Sequence, residues 1–225
     1  DTGTDFNPDH PTNVATKTLS DNGVIVVFSA GNSGSGEATI TGNFKKAPWV
    51  ITVAAGDKEG KLADFSSRGV KGKGGEVMVG NEIFHWEDRP TITGPGVDII
   101  STRASLSSLS ALSISDDSEV MAPNHVPYYT SMSGTSMSAP HVAGIVALML
   151  EANPNLSWRA VKAILQETAT NMPGRETWEA GAGYVNAYAA VKSVVDESLN
   201  FGSTTKVERD FNAKALTSVQ AEYAD

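Results

Sequence analysis

Cysteine is absent from the 225 residues of the chain. This absence excludes disulfide bonds, thiol catalysis and metal sites with cysteine ligands. Long apolar runs are absent too, since the longest, residues 142–150, falls well short of the roughly 20 residues that span a bilayer. The chain begins with polar residues instead of the apolar core of a signal peptide, so an exported protein would carry its signal outside this sequence.

Basic residues are scarce relative to acidic ones: 17 lysines and arginines stand against 26 aspartates and glutamates, which leaves a net charge of −9. A negative chain repels phosphate backbones and anionic lipid headgroups, so we expect neither nucleic acid nor a membrane as partner. The hydrophobic fraction of 40% nevertheless suffices for one sizeable core.

The hydrophobic pattern predicts strands that alternate with helices. Residues 24–28 and 50–54 are apolar, β-branched runs without alternation, which is typical of strands buried on both faces. Residues 97–101 are a third candidate strand. An α/β fold with a mostly parallel sheet and helices on both faces follows from this order. The predicted helices cover residues 12–19, a nearly all-apolar and therefore buried 136–152, a segment capped by Ser157, and 185–195.

Three segments do not fit that alternation. Residues 70–90 are rich in glycine and residues 105–127 in serine, and neither has a helical face, so both are predicted to be loop insertions or hairpins. From residue 196 the chain turns polar. We therefore divide it into a folded unit, residues 1–195, and a tail, linker or peripheral hairpin at 196–225.

The strongest chemical signal is the segment of residues 134–144, GTSMSAPHVAG. Ser136 lies in a turn that begins with Gly134 and leads into the long helix, so its hydroxyl is expected at the positive end of the helix dipole, where developing negative charge is favoured. Spacing alone leaves two interpretations open, a nucleophile and a serine N-cap. The elbow of α/β-hydrolases is excluded, because the second position after Ser136 is Ser138 and not glycine.

Residues 133–144 as a whole resemble the nucleophile motif of subtilisin-like serine proteases, with Ser136 at the nucleophile position. Residues 26–34, VVFSAGNSG, resemble the strand and loop that carry the oxyanion-hole asparagine of that family, which is Asn32 here. Weaker similarities follow in the family's order, so the resemblance covers about residues 7–195. These weaker segments are 47–55, 65–69, 94–99 and 181–187.

The resemblance implies the three-layer fold of these proteases, a polypeptide substrate and an extracellular location. It implies that the Asn32 amide and the backbone N–H of Ser136 bind the oxyanion, and that Ala30 and Gly31 line one wall of the pocket for the residue before the cleaved bond. Calcium is a cofactor implied by the family, but no calcium ligand of the family maps onto this sequence, and no other metal site is predicted.

The motifs that carry the family's aspartate and histidine are missing. In this family the catalytic order is Asp, His, Ser, but only 31 residues precede Asn32 and no HGTH segment is present. The chain is therefore interpreted as the C-terminal portion of a catalytic domain, inactive alone, whose partner is the upstream half. Asp1-Thr2-Gly3 imitates the family's aspartate motif, and also the aspartic protease signature, but no strand precedes it and no second copy follows.

The four histidines are poor substitutes for the missing base. His141 lies five residues after Ser136, about 140° around the helix, and is predicted to be a packed helix residue. His10, His85 and His125 are expected to be exposed imidazoles in loops, with His125 the first suspect should activity appear.

Acidic residues 116, 117 and 119 could offer oxygen ligands to calcium, although a solvated loop is the favoured interpretation.

A competing hypothesis is a non-catalytic pseudoprotease or interaction module. Without an upstream half, the strand at residues 24–28 would expose its edge, and apolar helix faces would be bare. Such a chain would associate through its exposed half-sheet, either with another protein or with itself.

Overall fold

The computed structural model describes residues 2–104 and 114–195. Asp1 and the predicted tail at 196–225 lie outside the described residues. The helices are Pro11–Asp21 (α1), Ile114–Val120 (α2), Thr135–Ala152 (α3), Trp158–Glu167 (α4), Thr177–Ala180 (α5) and Ala187–Val195 (α6). The strands are Val26–Ser29 (β1), Val50–Gly56 (β2), Gly74–Val79 (β3), Glu82–Glu87 (β4), Ile92–Pro95 (β5), Ile99–Thr102 (β6) and Tyr129–Met132 (β7).

A parallel sheet in the order β1-β2-β5 forms the centre of the molecule. All seven residues of β2 are buried, because it has a strand on each side and a packed layer on each face. The prediction for residues 50–54 is thereby confirmed. The one for residues 24–28 is only partly right: the strand begins at Val26, Val24 is 44% exposed, and β1 is half-buried, with β2 as its one partner in the described part of the chain.

The prediction of a strand at residues 97–101 is confirmed in part, because residues 99–102 form β6. Its expected burial in the parallel sheet was wrong: β6 pairs antiparallel with β7 and is mostly exposed, and the third parallel strand is β5. The hydrophobic pattern predicted burial wrongly here, because the apolar pair Ile99 and Ile100 lies on a two-stranded ribbon at the surface. The buried strand is only four residues long and contains a glycine and a proline, which weaken a strand signal.

Two apolar layers enclose the sheet, which confirms the α/β fold with a parallel sheet and helices. Helix α3 crosses all three strands and packs on α6. Its cluster on that face joins Ile51, Val53, Ile92, Val142, Val146, Met149, Val161 and Leu165. The opposite face carries α1 and an aromatic cluster that includes Phe6, Trp49, Phe84 and Trp86.

Helix α3 has an open side, contrary to the prediction that it is buried all round. Val142, Val146 and Met149 face the sheet and are at most 4% exposed, whereas Leu148 is 56% exposed. The composition of the helix is apolar on both sides, so the sequence could not distinguish the packed face from the open one.

The two irregular segments differ from one another. Residues 70–90 contain the β3–β4 hairpin, as predicted. Residues 105–127 were predicted to be non-helical, but α2 lies within them. None of the described helices has the length and apolar character needed to cross a membrane.

Gly69 is a position where the fold tolerates no side chain. A β-carbon built on it would overlap the carbonyl oxygen of Asp88, which accepts a hydrogen bond from Val70. We expect Gly69→Ala to lower the free energy of unfolding by about 3 kcal/mol, because the backbone of the neighbouring segment would have to move.

Urea unfolding measures this loss. Gly36→Ala is the matched control, because a β-carbon there would meet only an ordinary contact and the expected change is within about 0.5 kcal/mol. Equal midpoints for the two variants would contradict the packing at Gly69.

Candidate active site

Ser136 is the second residue of α3 and is exposed. The helix is capped by Gly134, whose carbonyl accepts from the N–H groups of Met137 and Ser138. Ser136 is therefore not the N-cap, and that interpretation of the motif was wrong. Its backbone N–H and its hydroxyl have no hydrogen-bond partner among residues 2–104 and 114–195. Both groups are available to a bound molecule.

Asn32 lies in the loop after β1, beside the start of α3. Its side-chain oxygen Oδ1 accepts hydrogen bonds from the backbone N–H and from the hydroxyl of Thr135, each at 2.9 Å. Because Oδ1 is held in this way, the amide Nδ2 points elsewhere, and a β-carbon on Gly134 would lie 3.3 Å from it. The amide hydrogens have no acceptor within the described residues. They form a second free donor near the helix start.

Thr135 is a site residue that sequence reasoning missed. Its hydroxyl donates to Asn32 and accepts from the backbone N–H of Gly31 at 3.1 Å, and the residue is 1% exposed. It thus joins the loop after β1 to the first turn of α3. A small polar residue directly before the nucleophile was the available signal, but its partners are more than 100 positions away in sequence.

The two predicted pocket residues differ in accessibility. Ala30 is completely buried, so it offers no surface to a substrate within the described structure. Gly31 is half-exposed and has a φ of +120°, and a β-carbon there would lie 2.9 Å from the hydroxyl of Ser67. This position therefore requires glycine, and the solvent-accessible surface of the pair belongs to Gly31.

The structure brings none of the four histidines to the Ser136 hydroxyl. His141 was predicted to be packed, but it is exposed, with Nδ1 at 2.7 Å from the carbonyl oxygen of Met137. His10 caps α1 by accepting from Thr12 and is half-buried instead of exposed. His85 and His125 are exposed, as expected, but His85 lies in β4 and not in the predicted loop.

Of the acidic residues 116, 117 and 119, Asp117 is not available to a cation. Asp117 is fully buried in α2, so the prediction of a solvated loop was wrong for this residue. Its carboxylate pairs with Arg103 and accepts from the N–H of Ser131 at 2.6 Å. These partners occupy the oxygens that calcium would need. No group of three or more histidine, aspartate or glutamate side chains in the described ranges could hold a metal ion.

The stretch of sequence that contains Asn32 and Ser136 also matches a family model. Residues 3–185 match the model of the subtilase family. The chain belongs to this family of serine proteases. The membership confirms the resemblance in the nucleophile and asparagine segments, and the parallel sheet with its covering helices agrees with it.

The subtilase relatives include subtilisin DY from Bacillus licheniformis, 34% identical over 171 residues, a match that covers 76% of this chain and 47% of that protein. Serine protease AprX from Bacillus subtilis is 36% identical over 178 residues, which cover 75% of the chain and 35% of the relative. The chain therefore spans about half or less of the length of these two relatives.

Solved structures share the fold. A protease from Pseudoalteromonas arctica superposes with a TM-score of 0.60 at 26% identity, covering 86% of this chain and 49% of that one. The patellamide maturation protease PatA superposes with the same TM-score at 21% identity, covering 88% and 60%. The second likeness is one of fold alone.

Proposed function

We propose that this chain belongs to a serine endopeptidase that hydrolyses peptide bonds through an acyl-enzyme on Ser136. In the proposed reaction the Ser136 oxygen attacks the carbonyl carbon of the substrate while a histidine takes its proton. The same histidine then protonates the departing amine, and water releases the acyl group by the reverse sequence. The oxyanion would be bound by the Asn32 amide and the backbone N–H of Ser136.

The observation that carries this proposal is the pair of unused donors at the start of α3. Both residues are exposed, and the N–H of Ser136 and the amide hydrogens of Asn32 have no acceptor in the part of the chain that the structure describes, so a bound molecule can reach these donors. Thr135 holds the Asn32 oxygen and so fixes the direction of its amide. Fixed donors beside an exposed hydroxyl are what acyl transfer requires.

We propose that the histidine base and the aspartate that orients it come from a segment upstream of this chain. Support comes from the positions of His10, His85, His125 and His141, none of which contacts the Ser136 hydroxyl, and from the fraction of the relatives' length that the chain covers. The same segment would cover the open side of α3 and the edge of β1 that has no partner strand in the described part of the chain. The chain alone is then inactive.

Two further features follow from the relatives. A polypeptide substrate is implied by the family. An extracellular location is supported by a relative named extracellular protease from Xanthomonas campestris, which is 32% identical over 176 residues covering 77% of this chain and 24% of that protein. We assign no calcium site, because Asp117, one of the acidic residues that could supply ligands, is paired within the protein.

Labelling with a fluorophosphonate, followed by intact mass measurement, tests the division of the active site. We expect no label on the purified 225-residue chain and one label on Ser136 when the upstream segment is supplied, because only an activated serine reacts. Ser193→Ala, remote on α6, serves as a control that keeps the label. Labelling of the chain alone would overturn the upstream origin of the base.

The competing function is that of a non-catalytic module that associates through the free edge of β1, with a partner or with itself. The observation that favours it is the single partner of β1 among the described strands, together with the exposed Val24 and Leu148. Complete protein that takes no label and assembles through that edge would support this function against the endopeptidase.

A further inference from the structure

Lys45 lies next to the proposed pocket wall, and no sequence motif marks this residue. It belongs to the 3₁₀ turn Asn43–Lys46, and its Nζ donates to the carbonyl oxygen of Ala30 at 3.1 Å. A β-carbon on Gly31 would lie 3.7 Å from the same Nζ. The ammonium is therefore placed beside the one accessible residue of the wall, directly before Asn32 in sequence.

No carboxylate compensates the charge of Lys45. This holds for the described residues, in which the Lys45 Nζ forms no ion pair and its other contact is the Phe44 ring, whose centroid is 5.8 Å away. The adjacent Lys46 provides the contrast, because its ammonium lies 3.2 Å from the buried carboxylate of Asp88. One ammonium of the turn is thus paired inside the protein, and the other is left for a ligand.

Burial makes this unpaired charge costly. Lys45 is half-buried, and desolvation lowers the pKa of its ammonium below the ordinary lysine value. A partly desolvated cation with two unused N–H donors is stabilised by an anionic acceptor more strongly than a solvated surface lysine is. Ser67 occupies the space next to the β-carbon position of Gly31, so a ligand would reach the ammonium along the accessible backbone of Gly31.

We propose that Lys45 selects substrates with an acidic side chain, aspartate or glutamate, immediately before the cleaved bond. The inference rests on the proposed endopeptidase function and on Gly31 as a wall of that pocket. The substrate carboxylate pairs with the Lys45 ammonium while the scissile carbonyl lies at Asn32 and Ser136. The net charge of −9 disfavours acidic peptides elsewhere on the protein, so the preference depends on this one local cation.

The test uses the complete protein, with the upstream segment present, and peptides that differ only in the residue before the cleaved bond. We expect kcat/KM for the glutamate peptide to exceed that for the glutamine peptide by about tenfold, because the two side chains have the same shape and differ in charge. The preference should weaken at high ionic strength and below the pKa of the glutamate side chain.

Three variants separate charge from structure. Lys45→Gln retains a donor for Ala30 but lacks the charge, and the glutamate-to-glutamine ratio should fall to about 1 or below. Lys45→Glu should shift the preference towards lysine or arginine before the cleaved bond. Lys58→Gln removes the same charge from an exposed position, and the ratio should stay at its unmodified value.

The outcomes distinguish this inference from the function on which it rests. Hydrolysis of neutral peptides with the same ratio in the unmodified protein and Lys45→Gln would overturn the role of Lys45 and leave the endopeptidase intact. No hydrolysis of any peptide, together with no fluorophosphonate label, would overturn both. A thermal melt of each variant confirms that it is folded.

Discussion

Ser136→Ala in the complete protein is expected to lower kcat by a factor of about 10⁴ to 10⁶, with little change in the melting temperature. The size of the loss is taken from triad removals measured in subtilisin, a member of the same family. The hydroxyl of Ser136 has no hydrogen-bond partner within the described residues, so its removal costs no internal bond. The free N–H of Ser136 is retained by alanine.

Peptide hydrolysis under single-turnover conditions measures this loss, and the fluorophosphonate label provides a second readout. Ser193→Ala is the matched control on α6 and should retain full activity. Activity of Ser136→Ala within tenfold of the unmodified protein would exclude Ser136 as the nucleophile.

Asn32→Leu is expected to lower kcat of the complete protein by roughly 100- to 1,000-fold while KM changes little. Subtilisin is again the reference for this magnitude, which applies to loss of one oxyanion-hole donor. Leucine has a similar size but cannot donate, and the hydroxyl and N–H of Thr135 lose their acceptor. The effect is on kcat because the donor is needed where negative charge develops.

Asn155→Leu, at an exposed position on the loop before α4, is the matched control and should leave both constants unchanged. A loss expressed wholly in KM would assign Asn32 to substrate binding instead of oxyanion stabilisation. Because the buried Thr135 also loses its acceptor, we expect a lower melting temperature as well, so both constants are measured well below the melting transition of the variant.

Local patterns predicted those parts of the fold that local forces determine. The uninterrupted apolar run of β2 and the cap of α4, where Ser157 accepts from Ala160, were both readable from a few adjacent residues. Strand β5 was not predicted, because its four residues include Gly94 and Pro95 and because its burial comes from neighbours distant in sequence.

The residues of the site could be predicted from the sequence only where a family motif marked them. Ser136 and Asn32 stand in segments with a family resemblance, whereas Thr135, Lys45 and Asp117 act through bonds that no sequence pattern displays. Thr135 reaches Asn32 across 103 positions, and Asp117 is neutralised by Arg103 in a segment that was predicted to be a loop. A buried ion pair of this kind is visible only when both partners have been placed in space.

The start of α3 has a consequence for how ligands affect the protein. Gly134 supplies no side chain to the first N–H groups of the helix, and Asn32 satisfies only that of Thr135. A negatively charged oxygen bound to Ser136 would complete the turn as an aspartate or serine cap does in other helices. A bound transition-state analogue should therefore take the place of the absent side-chain cap. It should protect the amide hydrogens of the first turn of α3 from exchange, in addition to blocking the reaction.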